Sequence, residues 1–206
     1  MKSARHCPAS TSTSFGGCAE RARIRAGAAA LTPTRVASSR EDSYRIMIEQ
    51  QVVIIGGSEG IGLAVAKAAR ILGARVLAVS RTKEKLEAAR DAVSGLEIRV
   101  ADINNTASIQ GLFSELSTID HVYIAAGSTK IGGPLDHPLN EFRHKFDERL
   151  WGSIDVVRAA HRLMRPGGSF TFTGGLSSDR PVIGAWVSGI ATMATEQLAR
   201  VHPIRQ

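Results

Sequence analysis

Residues 52–62 read Val-Val-Ile-Ile-Gly-Gly-Ser-Glu-Gly-Ile-Gly, an apolar run that breaks into a glycine-rich loop. Val52 to Ile55 is short, continuous and β-branched, the pattern of a strand buried on both faces of a parallel sheet. Gly56, Gly60 and Gly62 leave the backbone free to turn tightly and to approach a ligand closely. Leu63 to Leu72 comes next at helical spacing, with Gly73 as the stop. N–H groups exposed at such a helix start, reinforced by the helix dipole, suit a pyrophosphate. A lone glycine loop says little, but one set between an apolar strand and an alanine-rich helix says much more.

The alternation continues along the chain. Val76 to Val79 reads as a second strand, Thr82 to Val93 as a charged amphipathic helix, and Glu97 to Val100 as a third strand. Asn105 caps a helix through Leu116, and His121 to Ala125 makes a fourth strand. A long helix from Asn140 to Met164 meets the stop and turn Arg165-Pro166-Gly167-Gly168, and Ser169 to Thr173 is the fifth strand. A last helix covers about 186–200. Strands alternating with helices of this length predict an α/β fold with a doubly wound parallel sheet and right-handed crossovers. With 206 residues and 43% hydrophobic content, the chain supports one such domain, at 47–206.

The formal charge of +7 suggests nucleic acid until it is located. Residues 1–46 hold eight Lys/Arg against three Asp/Glu, which is +5 of the total and leaves +2 for 47–206. No basic stripe with interleaved aromatics exists, so nucleic acid is not an expected partner. Both cysteines, Cys7 and Cys18, lie in the same N-terminal stretch, and the six histidines are scattered. Neither a disulfide framework nor a metal site is expected. No run approaches the eighteen or so apolar residues of a membrane span, and the body reads as soluble and cytoplasmic. Residues 1–46, rich in Ser, Thr, Ala, Gly and Arg, read as disordered or non-native extension. The favoured reading makes Met47, five residues ahead of the first strand, the natural start. An organellar transit peptide, also Arg-rich, Ser-rich and acid-poor, is the other.

With the loop joined to the strands and helices after it, residues 50–205 resemble the short-chain dehydrogenase/reductase family, whose fold is a single Rossmann domain. The family's Thr-Gly-x-x-x-Gly-x-Gly is here Ile55-Gly56-Gly57-Ser58-Glu59-Gly60-Ile61-Gly62. Ser80-Arg81, Asp102-Ile103, and Ala125-Ala126-Gly127 (in place of Asn-Ala-Gly) come in order, then Gly167-Gly168-Ser169 and Pro203-Ile204-Arg205. The resemblance implies an NAD(P)-dependent oxidoreductase with a small carbonyl or alcohol substrate. Its cofactor residues would be Gly56, Ser58, Gly60, Ile61, Gly62, Ser80, Arg81, Asp102, Ile103, Ala125, Ala126 and Gly127. Asp102 would contact the adenine amino group. An acidic residue ending strand two would take the ribose 2′-OH of NAD. Ser80 stands there instead, and Arg81 can donate a fork of hydrogen bonds to a 2′-phosphate. NADP(H) is therefore expected over NAD(H), with Glu59 a carboxylate close to phosphates unless it faces solvent. The family also implies a homodimer or tetramer through the helices at 140–164 and 186–200.

The family's proton-transfer pair, Tyr-x-x-x-Lys, is missing. The tyrosines are Tyr44 and Tyr123, with Ile48 and Gly127 four residues beyond them, and no lysine occurs after Lys145. By register the tyrosine falls at Trp186, the lysine at Ile190, the strand-five serine at Gly175 and the helix asparagine at Arg149. Arg149 can polarise a carbonyl or stabilise an oxyanion, but it cannot serve as a general acid near neutral pH. Ser177, Ser178 and Ser188 could relay a proton through water, but no base is visible beside them, and the favoured reading makes them turn and cap residues. In the family a sixth strand, a loop over the nicotinamide, a substrate lid and a seventh strand come after Pro-Ile-Arg, whereas here the C-terminal strands are missing after Gln206. Three readings stand: an oxidoreductase, a catalytically silent dinucleotide-binding protein, or a truncated remnant.

Overall fold

The structure, a computed structural model, describes residues 47–127, 138–180 and 182–201. The expectations for 1–46, Tyr44 included, and for Pro203-Ile204-Arg205 lie outside the described residues. In chain order the strands are β1 (Gln51–Ile55), β2 (Arg75–Ser80), β3 (Glu97–Val100), β4 (Ile119–Ile124) and β5 (Met164–Phe172). The helices are α1 (Gly60–Ile71), α2 (Lys83–Ala92), α3 (Thr106–Ser114), α4 (Leu139–Phe146), α5 (Gly152–Ala160) and α6 (Trp186–Val201). A π turn at Asp147–Trp151 joins α4 to α5. The strands form one parallel sheet in the order β3-β2-β1-β4-β5, so the doubly wound α/β architecture is as expected.

Burial of both sheet faces explains the unbroken apolar runs. Val53, Ile55, Leu77, Val79, Val122 and Ile124 pack on one face with Ile109, Leu112 and Phe113 of α3 and Val156 and Ala160 of α5. Val52, Ile54, Val76 and Ala78 pack on the other face with Ala66 and Ala69 of α1 and Leu86 and Ala89 of α2. Each fully buried aliphatic side chain contributes about 1.5–3 kcal/mol over its exposed state. At the β3 edge the residues turn polar, and Arg75–Glu97 (3.6 Å) and Arg99–Glu115 (3.2 Å) form exposed ion pairs of little net worth.

The register lines up the strand ends. Ile55 lies opposite Val79 and Ile124, Ser80 opposite Val100, and Ile124 opposite Phe172. Gly56, Arg81, Asp102, Ala125 and Thr173 therefore emerge along one edge of the sheet. The chain crosses from β3 to β4 on the other side of β1, which puts the topological switch point between β1 and β4. In open α/β sheets that crevice is where ligands bind.

Several boundaries differ from expectation. The third strand is as predicted, and Asn105 caps α3 as predicted, its side chain accepting from the Ser108 N–H at 3.0 Å. The first helix starts at Gly60, ahead of Leu63. The fourth strand starts at Ile119 and ends at Ile124, leaving Ala125 just past it. The long helix is broken by the π turn, and its last α-helical residue is Ala160, ahead of Met164. The fifth strand starts at Met164 and carries the expected stop and turn inside it. Met164 pairs with Ile119 and Ser169 with His121, and the irregularity between them absorbs Gly167 at φ +82°. No helix among the described residues is long and apolar enough to cross a membrane.

The opposite edge is fastened by polar contacts. The Asp120 carboxylate, almost wholly buried, accepts from the Gln51 N–H at 2.7 Å and pairs with Arg165 at 3.2 Å. Removing it leaves a partly buried N–H without a partner. Asp120→Ala should lower the unfolding free energy by about 2–3 kcal/mol in urea titrations. Arg165→Ala, truncating the exposed partner, should cost less than about 1 kcal/mol.

Candidate functional site

The glycine loop is built by exclusion of side chains. The N–H groups of Gly56 and Gly57 both donate to the Val79 carbonyl, at 2.8 and 3.1 Å. A Cβ on Gly56 would lie 2.7 Å from the Ala126 nitrogen, and its φ is +87°. A Cβ on Gly62 would overlap the Gly56 carbonyl oxygen. Gly62 thus serves the packing of α1 on the end of β1. Gly60 differs: at φ +56° it would meet nothing within 4 Å on that side. The loop is open where Gly60 begins the helix.

No side chain caps α1. Its N-cap residue Glu59 makes no capping bond, and the carboxylate reaches Lys85 at 2.8 Å instead, with both side chains more than half exposed. The first-turn N–H groups of Gly60, Ile61 and Gly62 are left for an outside acceptor. Ile61 is 59% exposed beside them, while Ser58 is buried.

The remaining predicted residues divide. Ser80 is half-buried at the end of β2, its hydroxyl 3.4 Å from the Thr82 N–H, and Arg81 is exposed with no partner among the described residues. Asp102 uses one carboxylate oxygen in a turn, accepting from the Asn104 N–H at 3.0 Å. The Ile103 side chain is buried at 6% exposure under Gly152, so it offers the edge only its main chain. The N–H groups of Ala125 and Ala126 donate to the Ile55 carbonyl at 2.8 and 3.0 Å, which ties the end of β4 to the glycine loop. Gly127 lies under Arg149: a Cβ there would be 3.1 Å from the Arg149 Cζ.

Arg149 sits in the π turn. Its carbonyl accepts from the Ser153 hydroxyl at 2.5 Å and from the Thr195 hydroxyl at 3.4 Å. With Ile124, Ala126, Phe172 and Thr173 these groups enclose a cavity of about 10 Å³, the size of one water. Trp186 opens α6, its ring 4.8 Å from that of Phe142, and its buried Nε1–H has no acceptor among the described residues. Ile190, a turn further on, is half exposed. Ser178 bonds the Gly175 carbonyl and Glu196, both at 2.9 Å, in the turn role expected of it. Tyr123 lies within β4, where its hydroxyl accepts from Thr173 at 3.2 Å.

Sequence reasoning missed an aromatic cleft of roughly 410 Å³ beside Trp186, lined by Leu139, Phe142, Arg143, Phe146, Asp147 and Trp151. The signal was Leu139, Phe142 and Phe146 recurring at helical spacing, which reads equally as an ordinary core face. Among the described residues no group of three or more His, Cys, Asp or Glu could hold a metal ion.

Comparison with known proteins agrees with this geometry. The family model described as Enoyl-(Acyl carrier protein) reductase matches residues 56–202. A short-chain dehydrogenase/reductase of Gibberella fujikuroi is 28% identical over 179 residues, covering 75% of this chain and 68% of that protein. A 3-dehydrosphinganine reductase of Arabidopsis thaliana is 32% identical over 117 residues, or 54% of this chain; the chain spans only 36% of that relative. In fold, a short-chain dehydrogenase/reductase from Mycobacterium ulcerans superposes with a TM-score of 0.70 at 23% identity, covering 75% of this chain and 62% of that one. A Pseudomonas aeruginosa protein solved as an NADP active-site complex gives 0.70 at 20% identity, with 77% and 67% covered.

The two glycines make separable predictions. Gly60→Ala has room but a left-handed backbone, and should cost about 1–2 kcal/mol in thermal melts. Gly62→Ala must push α1 off the sheet, and should lower the melting temperature by clearly more. Equal effects would show that the close helix approach is not what Gly62 provides.

Proposed function

Because the chain belongs to the short-chain dehydrogenase/reductase family, we propose that it is an NADP(H)-dependent oxidoreductase acting on a carbonyl or alcohol group of a small molecule. One observation carries the reading: an uncapped helix start with open space at Gly60 shares an edge with an exposed arginine, Arg81. The residues fit a dinucleotide. The N–H groups of Gly60, Ile61 and Gly62 bind the pyrophosphate, with Gly56 and Ser58 shaping the loop beneath it. Ser80 and Arg81 hold the 2′-phosphate. Lys85 holds the Glu59 carboxylate in an exposed ion pair, which answers the objection its charge raises. The second Asp102 oxygen accepts from the adenine amino group, with the Ile103 main chain beside it. Ala125, Ala126 and Gly127 border the nicotinamide-side ribose. When bound, the nicotinamide supplies or accepts hydride.

The aromatic cleft beside Trp186 suits an apolar arm of the substrate. Sphinganine reductases among the relatives are named for a ketone on a long-chain base. Exposed Trp151, Ile190 and Met193 support self-association through α4, α5 and α6. A second reading, a catalytically silent dinucleotide-binding protein, rests on Trp186 and Ile190 at the places of the family's acid and its lysine. Loss of a proton donor costs about 10²–10⁴-fold in rate.

Calorimetric titration separates the readings. NADPH should bind at least about tenfold more tightly than NADH, and Arg81→Ala should remove most of that margin while leaving NADH unchanged. Equal affinities would overturn the phosphate assignment, and binding of neither would sink the dinucleotide reading. Oxidation of NADPH with a panel of ketones then distinguishes a slow reductase from a silent binder. Trp186→Tyr combined with Ile190→Lys should raise a measurable rate by about 10²-fold.

A further inference from the structure

Arg149 stands apart from the other arginines. Among the described residues only Arg70 and Arg149 are partly buried; the rest are exposed. Arg70 is satisfied, donating to the Ser94 carbonyl at 3.1 Å and the Ala74 carbonyl at 2.6 Å. The Arg149 guanidinium has neither an ion pair nor a hydrogen-bond acceptor among the described residues. A partly desolvated cation without a counter-charge is unfavourable, and it is retained where something else supplies that charge.

Its position is fixed and specific. Arg149 leaves a π turn whose main chain is held by the Ser153 hydroxyl on the Arg149 carbonyl. It then lies flat on Gly127, where any Cβ would come within 3.1–3.2 Å of its Cγ, Nε and Cζ. That is the ligand-facing edge, just beyond Ala126 and on the side of β5 and α6. The pyrophosphate is served from β1 by the start of α1, so the anion left for Arg149 belongs to the other ligand.

We propose that Arg149 is a specificity-determining residue that binds a carboxylate on the substrate, making the preferred substrate an oxo acid or hydroxy acid. A planar fork of five N–H donors matches a carboxylate in two-point contact. The carboxylate neutralises the guanidinium of this partly buried residue and sets the carbonyl or hydroxyl carbon at a fixed distance from it. This rests on the dinucleotide reading above, and deepens it by naming the substrate class.

The probe is levulinate (4-oxopentanoate) and its neutral twin methyl levulinate, titrated into the full chain saturated with NADPH at constant ionic strength. Binding is read by calorimetry, with no need for turnover. Levulinate should bind at least about tenfold more tightly than the ester, Arg149→Gln should erase the difference, and Arg149→Lys should keep part of it. The affinity of Arg149→Gln for NADPH should stay within about threefold of the parent, since its donors are not those of the pyrophosphate. Equal binding of acid and ester by the parent chain, which requires no variant to fold, overturns the proposal. So does discrimination that survives in Arg149→Gln, or an NADPH affinity that falls as far as levulinate's, which would make the pyrophosphate the anion. If the parent binds no NADPH, the dinucleotide reading fails by itself, and the acid–ester comparison on the free chain still decides the role of Arg149.

Discussion

The close approach of α1 to the sheet is the constraint on which the ligand-facing edge depends. Gly62 rests against the Gly56 carbonyl, Gly57 against Ala78, and Gly56 against the main chain of Ala126. Three backbone segments meet where side chains would normally hold them several ångströms apart. The first turn of α1 is thereby brought down to the level of the strand ends, and its uncapped N–H groups face the crevice between β1 and β4. Alanine at Ala66 and Ala69 continues the same close packing along the helix. The dipole of α1 and the switch point of the sheet coincide because of this contact.

The legible parts of the sequence are those decided locally. Glu97 to Val100 is a strand because it is short, alternating and bounded by turn residues, and Asn105 caps α3 because its side chain reaches only its own helix. The start of the first helix is concealed because Gly60 looks like loop; its φ of +56° is tolerated in the helical start by a residue without Cβ. The start of β5 is hidden because Pro166 and Gly167 spell a turn, yet the pairing of Met164 with Ile119 is a tertiary contact that carries the strand through it. The π turn is invisible for the same reason. It is fixed by Gly152 seated against Ile103, 49 positions away, and by the Ser153 hydroxyl on the Arg149 carbonyl.

The edge residues are legible in a different sense. Gly56, Arg81, Asp102 and Ala125 mean little one at a time, and they converge only because the parallel register ends four strands at one level. Ile103 belongs to that set by its place in the chain, while its side chain serves the core. Arg149 reads in the sequence as a substitution at a family position. That the residue is partly buried, with its guanidinium unpaired among the described residues, is a property of its surroundings and not of its residue type, so no pattern of letters conveys it.

The glycine loop at Gly56, Gly60 and Gly62 is present in this chain, while the sequence Tyr-x-x-x-Lys does not occur in it. Trp186 at the start of α6 offers an indole N–H that neither titrates nor finds an acceptor, a burial that costs about 1–3 kcal/mol. Its ring contact with Phe142 and its place in the aromatic cleft offset that cost. Several hydroxyls nearby are turned to other tasks: Ser178 to Gly175 and Glu196, Thr173 to Tyr123, Ser153 to the Arg149 carbonyl and Thr195 to the Ala191 carbonyl. None of these is free to relay a proton without giving up a bond that shapes the site. What the described residues present here is a cation at Arg149 and an apolar wall beside Trp186. Such an edge suits the orienting of an anion better than the delivery of a proton, so the anion that Arg149 prefers is the more informative measurement.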